Sequence, residues 1–253
     1  MSRYVWTLLL SILLLLAQPK IQAGVTNPDF SAIGQFSLAY TDDHTEQPTA
    51  KPTLGLGEVE FVLDAPLNPY LNGAFVFSIS EDEFEIEESY ATLNRGLPLN
   101  IGLKGGKYRI GFGRLNPAHP HTYPFIRTPH VVDPGSALLL PGDESLNDVG
   151  LQASTLIPVI GNYAVLISAD LLKGDSFHPD TTTADFGWIG RIVNSFIIAD
   201  QAPSEFGLSL TQGTPDPINK TKTLVAGADL KTKITISPSL SANSTVRIHF
   251  QKD

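Results

Sequence analysis

The residues best suited to metal chemistry lie in one long, proline-rich segment of the chain, Arg114–Asn147. Its histidines and neighbouring acidic residues are His119, His121, His130, Asp133, Asp143 and Glu144. Imidazole binds zinc, copper and nickel well, and two histidines placed two residues apart can share one ion. The alternative is a polar loop, stiffened by its prolines, that folds into the mouth of a barrel. We therefore expect His119, His121 and His130 either to constrict a pore or to bind a metal.

Charged residues also concentrate in two places before that segment. The run Glu81–Glu88 is dominated by carboxylates, which could attract cations or form a solvated turn and part of a lumen face. A basic strip follows, made of Lys104, Lys107, Arg109 and Arg114. Basic strips opposite acidic residues create the transverse field that selects ions in pores. This pattern predicts a charged channel wall more readily than a catalytic centre.

Composition and motifs argue against several classes of function. The chain has no cysteine, which excludes disulfide scaffolds, zinc–thiolate sites, iron–sulfur clusters and thiol catalysis. It has 26 acidic against 17 basic residues, which argues against a nucleic-acid partner. No Gly-x-Ser-x-Gly, HExxH or P-loop motif is present. We expect neither an enzyme nor a bound cofactor, although a hydrolase assembled from distant strands stays an alternative.

The N-terminus predicts export. Met1–Ala23 contains Arg3, then an apolar run over Val5–Ala17, then a polar stretch that ends on a small residue. This is the pattern of a secretory signal peptide, and its apolar run is shorter than the roughly 20 residues of a membrane-spanning helix. We expect cleavage after Ala23, with an uncleaved anchor as the alternative. Residues 24–253 would then form a single exported domain.

From Phe30 onward, apolar and polar residues alternate with the period of two that is typical of β-strands. The alternation predicts 11 strands, mostly of 9–14 residues, the clearest at Leu240–Gln251. In Leu99–Phe112 the apolar phase changes at Gly105–Gly106, which predicts a β-bulge there. Glu88 breaks the phase of its own strand, so its face is undetermined.

Two all-β folds produce this alternation. A soluble sandwich uses strands of about 5–6 residues, whereas an outer-membrane barrel uses about 9–11, with short turns at one end and long loops at the other. Strand length and loop asymmetry favour an antiparallel, up-and-down transmembrane β-barrel of about 10–12 strands. The residues predicted to line its lumen are Glu58, Glu60, Lys104, Arg109, Arg114 and Asp170.

A resemblance points the same way. Leu103–Asn116, followed by His119-Pro120-His121, resembles a family of Gram-negative outer-membrane barrel proteins related to phosphate-selective porins and often labelled TonB-dependent-receptor-like. Glu144–Gly150 is similar to the family's next strand, although Ser145 stands where the family has glycine. Gly190–Asn194 and Gly227–Leu230 resemble its later strands, so the similarity covers most of Glu58–Lys231. These motifs are structural and imply a fold rather than a substrate.

From the fold and the charged residues together we expect a passive channel for small hydrophilic solutes or ions in the outer membrane. Its expected partners are outer-membrane lipid, the assembly machinery for outer-membrane proteins and further copies of the chain. An odd strand count and the family's greater length suggest a truncated barrel. Alternatives are a non-conducting structural or adhesive barrel, an inactive remnant, or a metal-related uptake protein that uses the histidine-rich loop. Because strands begin by Phe30, we expect no plug domain of the TonB-dependent type.

Overall fold

The computed structural model describes residues 28–40, 52–80, 83–123, 129, 146–177, 185–198, 202–216, 218–234 and 244–247. The predicted signal peptide, His130 and most of the second half of the long loop lie outside the described residues. No helix in the described part of the chain is long and apolar enough to cross a membrane.

The fold is all-β, as the alternation predicted. The strands are β1 (Asp29–Ala39), β2 (Thr53–Pro66), β3 (Leu71–Ile79), β4 (Phe84–Leu93), β5 (Ile101–Arg109), β6 (Asn147–Ile160), β7 (Tyr163–Leu172), β8 (Gly187–Ile198), β9 (Ala202–Asp216), β10 (Thr221–Ile234) and β11 (Ser244–Arg247). They form one sheet in which each strand pairs antiparallel with the next along the chain. Within the described residues β1 pairs only with β2 and β11 only with β10, so the sheet is not closed.

Strict alternation gives the sheet two faces of opposite chemistry, because successive side chains of a strand point to opposite sides. The apolar face carries large hydrophobic side chains that remain exposed. Examples are Phe75, Leu103, Leu151, Leu171 and Leu208, with exposed fractions of 41–66%. The polar face carries ionised and hydroxyl side chains that are buried. Examples are Glu60, Asp170, Ser209, Thr211 and Asp229, all at most 5% exposed.

The ends of the sheet differ in the length of their connections. At one end, consecutive strands are joined by short segments at 67–70, 94–100, 161–162 and 199–201. The opposite end carries the long connections 40–52, 110–146 and 173–186. The three longest connections thus lie at one end, as predicted, but 80–83 and 217–220 are short segments at that same end, and 235–243 is a longer connection at the opposite end.

The predicted bulge at Gly105–Gly106 is wrong. Both glycines keep a regular register with β4 and β6. The backbone alternates without interruption through this region, but the apolar residues before and after the glycines lie on opposite faces. Leu103 is on the apolar face, whereas Tyr108 is on the polar face and fully buried. Gly106 has a φ of +135°, and a Cβ at this position would lie 2.1 Å from the carbonyl oxygen of Ser89, so only glycine fits.

Strand β5 ends earlier than the predicted Phe112, because the chain turns inward after Arg109. Among the described residues the sheet has four register irregularities, and one of them is on β4, the neighbour of β5. The register shifts between Val76 and Phe77, whose partners are Glu88 and Ile86. The extra residue, Glu87, lets Glu88 lie on the polar face although alternation from Ile86 would place it outward. Both glutamates are buried there.

Candidate functional site on the polar face

Residues 110–123, here called the inner segment, lie across the polar face of the sheet. Asn116 fixes the turn into this segment: its amide nitrogen donates to the carbonyl oxygens of Ile110 (2.7 Å) and Leu146 (2.9 Å). Its amide oxygen accepts a hydrogen bond from the Leu146 N–H at 3.0 Å. Asn116 is 1% exposed, so every polar atom of its side chain is used within the protein.

Phe112 of the inner segment extends across the polar face as far as strand β10. This ring lies above Gly227 of β10, where an added Cβ would approach the ring to 3.1 Å. Phe112 belongs to a buried apolar cluster beneath the long loops, together with Tyr108, Ile110, Leu146, Leu172, Phe177 and Ile189. One end of the polar face is therefore covered by buried apolar side chains, and the rest of this face carries charged side chains.

Strands β8–β10 take part in two ion pairs on the polar face. The guanidinium of Arg191 donates two hydrogen bonds to Asp229, at 2.7 and 3.0 Å, and a third to the Ser209 hydroxyl at 2.6 Å. Arg114 of the inner segment forms an ion pair with Glu205. We call these five residues the paired patch. Bidentate arginine–carboxylate contacts of this kind fix geometry as well as charge.

A cleft beside the paired patch is bounded by the inner segment. Its lining includes Arg114, Tyr123, Arg191, Val193 and Glu205. The backbone N–H of Gly113 also donates to the Ser209 hydroxyl at 3.0 Å, which ties the inner segment to β9. The cleft therefore has charged walls on both the sheet and the segment that crosses it.

The middle of the polar face holds a lysine among aromatic rings. The Lys104 ammonium lies 4.5 Å from the ring centre of Tyr90 and 4.9 Å from that of Tyr108. The Tyr108 hydroxyl donates to Asp170 at 2.9 Å, and Gln152 donates to the same carboxylate oxygen at 2.9 Å. The cation–π contacts stabilise the half-buried Lys104, and the hydrogen bonds satisfy one oxygen of Asp170, while its Oδ2 is buried without a hydrogen-bond partner.

Strands β2 and β4 hold an arrangement of a different kind, here called the acidic–histidine cluster. It consists of Glu58, Glu60, Glu87, Glu88, Arg109, His119 and His121. His119 lies at its centre. Its Nδ1 is 3.1 Å from Glu60 Oε2 and 3.2 Å from Glu87 Oε2, and its Nε2 is 2.7 Å from Glu88 Oε1.

The second histidine and the arginine lie at the margins of this cluster. Nδ1 of His121 is 3.4 Å from the same Glu60 oxygen that approaches His119. Arg109 lies 3.6 Å from Glu87 and donates through Nε to the backbone carbonyl oxygen of Asn116 at 3.3 Å. Four carboxylates thus face one arginine and two imidazoles in a region that is mostly buried.

The charge state of His119 follows from these neighbours. Burial by itself lowers the pKa of His119, but the neighbouring carboxylates of Glu87, Glu88 and Glu60 outweigh it and raise the pKa to about 9. The acidic–histidine cluster therefore favours a positive charge at the imidazole position.

All six residues predicted to line a lumen lie on or against the polar face. Glu58, Glu60 and Arg109 belong to the acidic–histidine cluster, Lys104 and Asp170 to the middle, and Arg114 to the paired patch. Of the three predicted loop histidines, the structure brings His119 and His121 together, while His130 lies outside the described residues.

Sequence reasoning missed the partners of these residues. Glu87 and Glu88 were expected to form a solvated turn or lumen face, but they are buried against His119. The break in alternation at Glu88 was the available signal. Arg191 and Asp229 are 38 residues apart, and only the pairing of β8 and β10 with β9 brings them together.

Comparison with known proteins gives one informative match. A protein of Aquifex aeolicus (strain VF5), described as uncharacterized, is 34% identical over 153 residues. The match covers 60% of this chain but only 29% of that protein's length. No family model matches the chain, and no solved structure matches it significantly. The resemblance to porin-related outer-membrane proteins therefore stays a prediction.

Proposed function

We propose that this chain forms a porin-like wall in a Gram-negative outer membrane and serves the passive diffusion of small hydrophilic solutes or ions. The observation that carries the proposal is the inverted sheet: exposed apolar side chains on one face, buried charges on the other. A bilayer requires an apolar exterior and fully paired backbone groups, which up-and-down antiparallel strands supply along their shared edges.

Strand length supports the same proposal. Strands β1–β10 have 9–15 residues, enough to cross the roughly 30 Å hydrocarbon layer at the usual tilt. Aromatic side chains stack on the apolar face, as Phe75 and Phe84 do on either side of Phe77. A soluble sandwich would cover this face with a second sheet, and the described residues form a single sheet.

The inner segment would serve as the constriction. It is held against the polar face by Asn116, by the Gly113–Ser209 hydrogen bond and by the Arg114–Glu205 pair. Solutes would pass between charged walls, with carboxylates in excess on the β2–β4 side. That excess favours cations over anions.

The second candidate is a structural barrel that does not conduct. The observation that favours it is the buried apolar cluster, which fills the interior at the long-loop end. A conductance measurement in a planar bilayer separates the two functions. Discrete single-channel steps support the channel, whereas a folded barrel that stays electrically silent contradicts it.

Membrane insertion is tested first, by fractionation and by detergent gels with and without boiling. A lipid-facing sheet should place the mature chain in the outer-membrane fraction and give a heat-dependent shift in migration. The matched variants Leu151→Arg and Gln152→Arg sharpen the test. An arginine at position 151 would face lipid at a cost of about 2–4 kcal/mol, whereas one at position 152 would face the polar side.

We expect Leu151→Arg to lose outer-membrane assembly and Gln152→Arg to retain it. In a water-soluble sheet Leu151 is already 66% exposed, so an arginine there would be harmless. Equal levels of the two variants in the membrane, or wild-type protein found only in a soluble fraction, would refute the proposal.

A further inference from the structure

We propose that Glu60, His119 and His121 form a binding site for a divalent first-row transition-metal ion, with zinc as the representative. The three ligand atoms, one carboxylate oxygen and two imidazole nitrogens, lie within 4.8 Å of one another. The site joins β2 to the inner segment. It does not depend on whether the protein conducts solutes.

The spacing of the ligand atoms fits a tetrahedral ion. Zinc binds imidazole nitrogen and carboxylate oxygen at about 2.0–2.2 Å, so two ligands of a tetrahedral site are separated by about 3.3–3.6 Å. Glu60 Oε2 lies 3.1 Å from Nδ1 of His119 and 3.4 Å from Nδ1 of His121. A small side-chain adjustment would place all three atoms around one ion. The fourth position would remain for water or for Glu87, whose Oε2 is 3.2 Å from the same His119 nitrogen.

A second, independent observation concerns the two nitrogens of His119. Nε2 lies 2.7 Å from Glu88 Oε1 and can donate its proton to that carboxylate. Metal-binding histidines commonly use one ring nitrogen in this way, which fixes the tautomer and directs the lone pair of the other at the ion. That other nitrogen, Nδ1, is buried and makes no hydrogen bond, although the Glu60 and Glu87 oxygens lie 3.1 and 3.2 Å away. A metal ion would satisfy it.

The donor set also selects the class of ion. Two imidazoles and a carboxylate suit zinc, copper, nickel or iron, whereas calcium and magnesium prefer six or more oxygen ligands. The surplus of carboxylates around His119 neutralises the charge of a divalent ion without help from further residues. We therefore expect selectivity for transition metals over calcium.

The test uses the mature chain, folded in detergent and freed of metal with a chelator that is then removed. Titration with Zn²⁺ in a calorimeter should give one site per chain, and a 100-fold excess of Ca²⁺ should leave the affinity unchanged. Titration with Co²⁺ should give the intense visible absorption of a tetrahedral complex. Zinc should displace this signal.

Matched variants localise the site. Glu60→Gln and His121→Ala each remove one ligand, and we expect at least a tenfold loss of zinc affinity from either. Glu205→Gln changes the same residue type in the paired patch and should stay within twofold of wild type. A heat-dependent gel shift by every variant would show that the barrel still folds.

Two results would overturn the proposal: no stoichiometric zinc binding by the folded wild-type chain, or wild-type affinity in both Glu60→Gln and His121→Ala. The second result would identify binding elsewhere on the surface. Because the readout is binding and absorption, a chain that binds zinc but does not conduct would refute the channel and leave this site intact. A conducting chain that binds no zinc would do the reverse.

Discussion

The paired patch and the acidic–histidine cluster occupy the same face of one sheet but differ in the ratio of cationic to anionic side chains. In the paired patch, Arg191 meets Asp229 and Arg114 meets Glu205, each cation with one anion. In the acidic–histidine cluster, His119 alone has three carboxylates within 3.2 Å. In the first region each arginine has its own carboxylate, whereas the second has an excess of acid.

This difference shows that burial alone does not indicate what a charged group does. The Arg191–Asp229 pair is mostly buried and joined by two hydrogen bonds, which is what a structural ion pair requires. Glu60 is equally buried, but its nearest partners are two histidines whose nitrogens point at the same oxygen. Only the second arrangement has capacity for a further cation.

The largest loss of stability is expected when the Arg191–Asp229 ion pair of the paired patch is removed. Asp229→Ala leaves the Arg191 guanidinium buried without its carboxylate, which should lower the free energy of unfolding by about 3–5 kcal/mol. Urea unfolding in lipid vesicles, followed by the fluorescence of Trp188, measures this. Asp175→Ala, which removes an exposed carboxylate, should cost less than 1 kcal/mol. Equal losses in the two variants would show that the pair has no structural role.

A smaller effect on stability, but a measurable one on transport, is expected at Arg114. This residue and Glu205 are partly exposed, so Arg114→Gln should cost at most about 1 kcal/mol. Freeing Glu205 adds a negative charge beside the inner segment, and we expect the cation-to-anion permeability ratio to rise. Reversal potentials under a salt gradient give that ratio. An unchanged ratio in a conducting variant would exclude Arg114 from the solute path.

The smallest change in stability, and an increase rather than a loss, is expected when Glu58 is replaced. This carboxylate lies beside Glu60 and Glu87, so Glu58→Gln removes repulsion between like charges. In metal-free protein the free energy of unfolding should rise by about 0.5 kcal/mol. The same urea experiment measures it, with chelator present. A loss of more than 1 kcal/mol would mean that the acidic–histidine cluster is as tightly paired as the patch on β8–β10.

Much of the fold was predictable because a strand repeats every two residues. The alternation around Glu58 and Glu60 identified β2 and its polar face. The described residues form 11 strands, as predicted, although only Ser244–Arg247 of the predicted strand Leu240–Gln251 is described. The prediction of a β-bulge at Gly105–Gly106, which came from this alternation rule, failed for a physical reason. The rule assumes that apolar residues keep one face, but the interior also contains an apolar cluster, and Tyr108 belongs to it.

The candidate site was predictable only in part. The spacing of His119 and His121 is local, so the sequence could indicate that they share a neighbourhood. Glu60 is 59 positions before His119, and its approach depends on where the inner segment crosses the sheet. Glu87 depends further on a bulge opposite Val76–Phe77 that shifts the next glutamate to the polar face.

The amino-acid sequence by itself determined the class of fold, the two-faced character of the strands and the set of residues available for the polar face. These properties are local, since alternation and turn residues act over a few positions of the chain. Tertiary structure alone decided which charges meet. The register of neighbouring strands paired Arg191 with Asp229, and the three hydrogen bonds of Asn116 turned the inner segment towards β2. Contacts between residues so far apart depend on the path of the backbone, which no local pattern specifies.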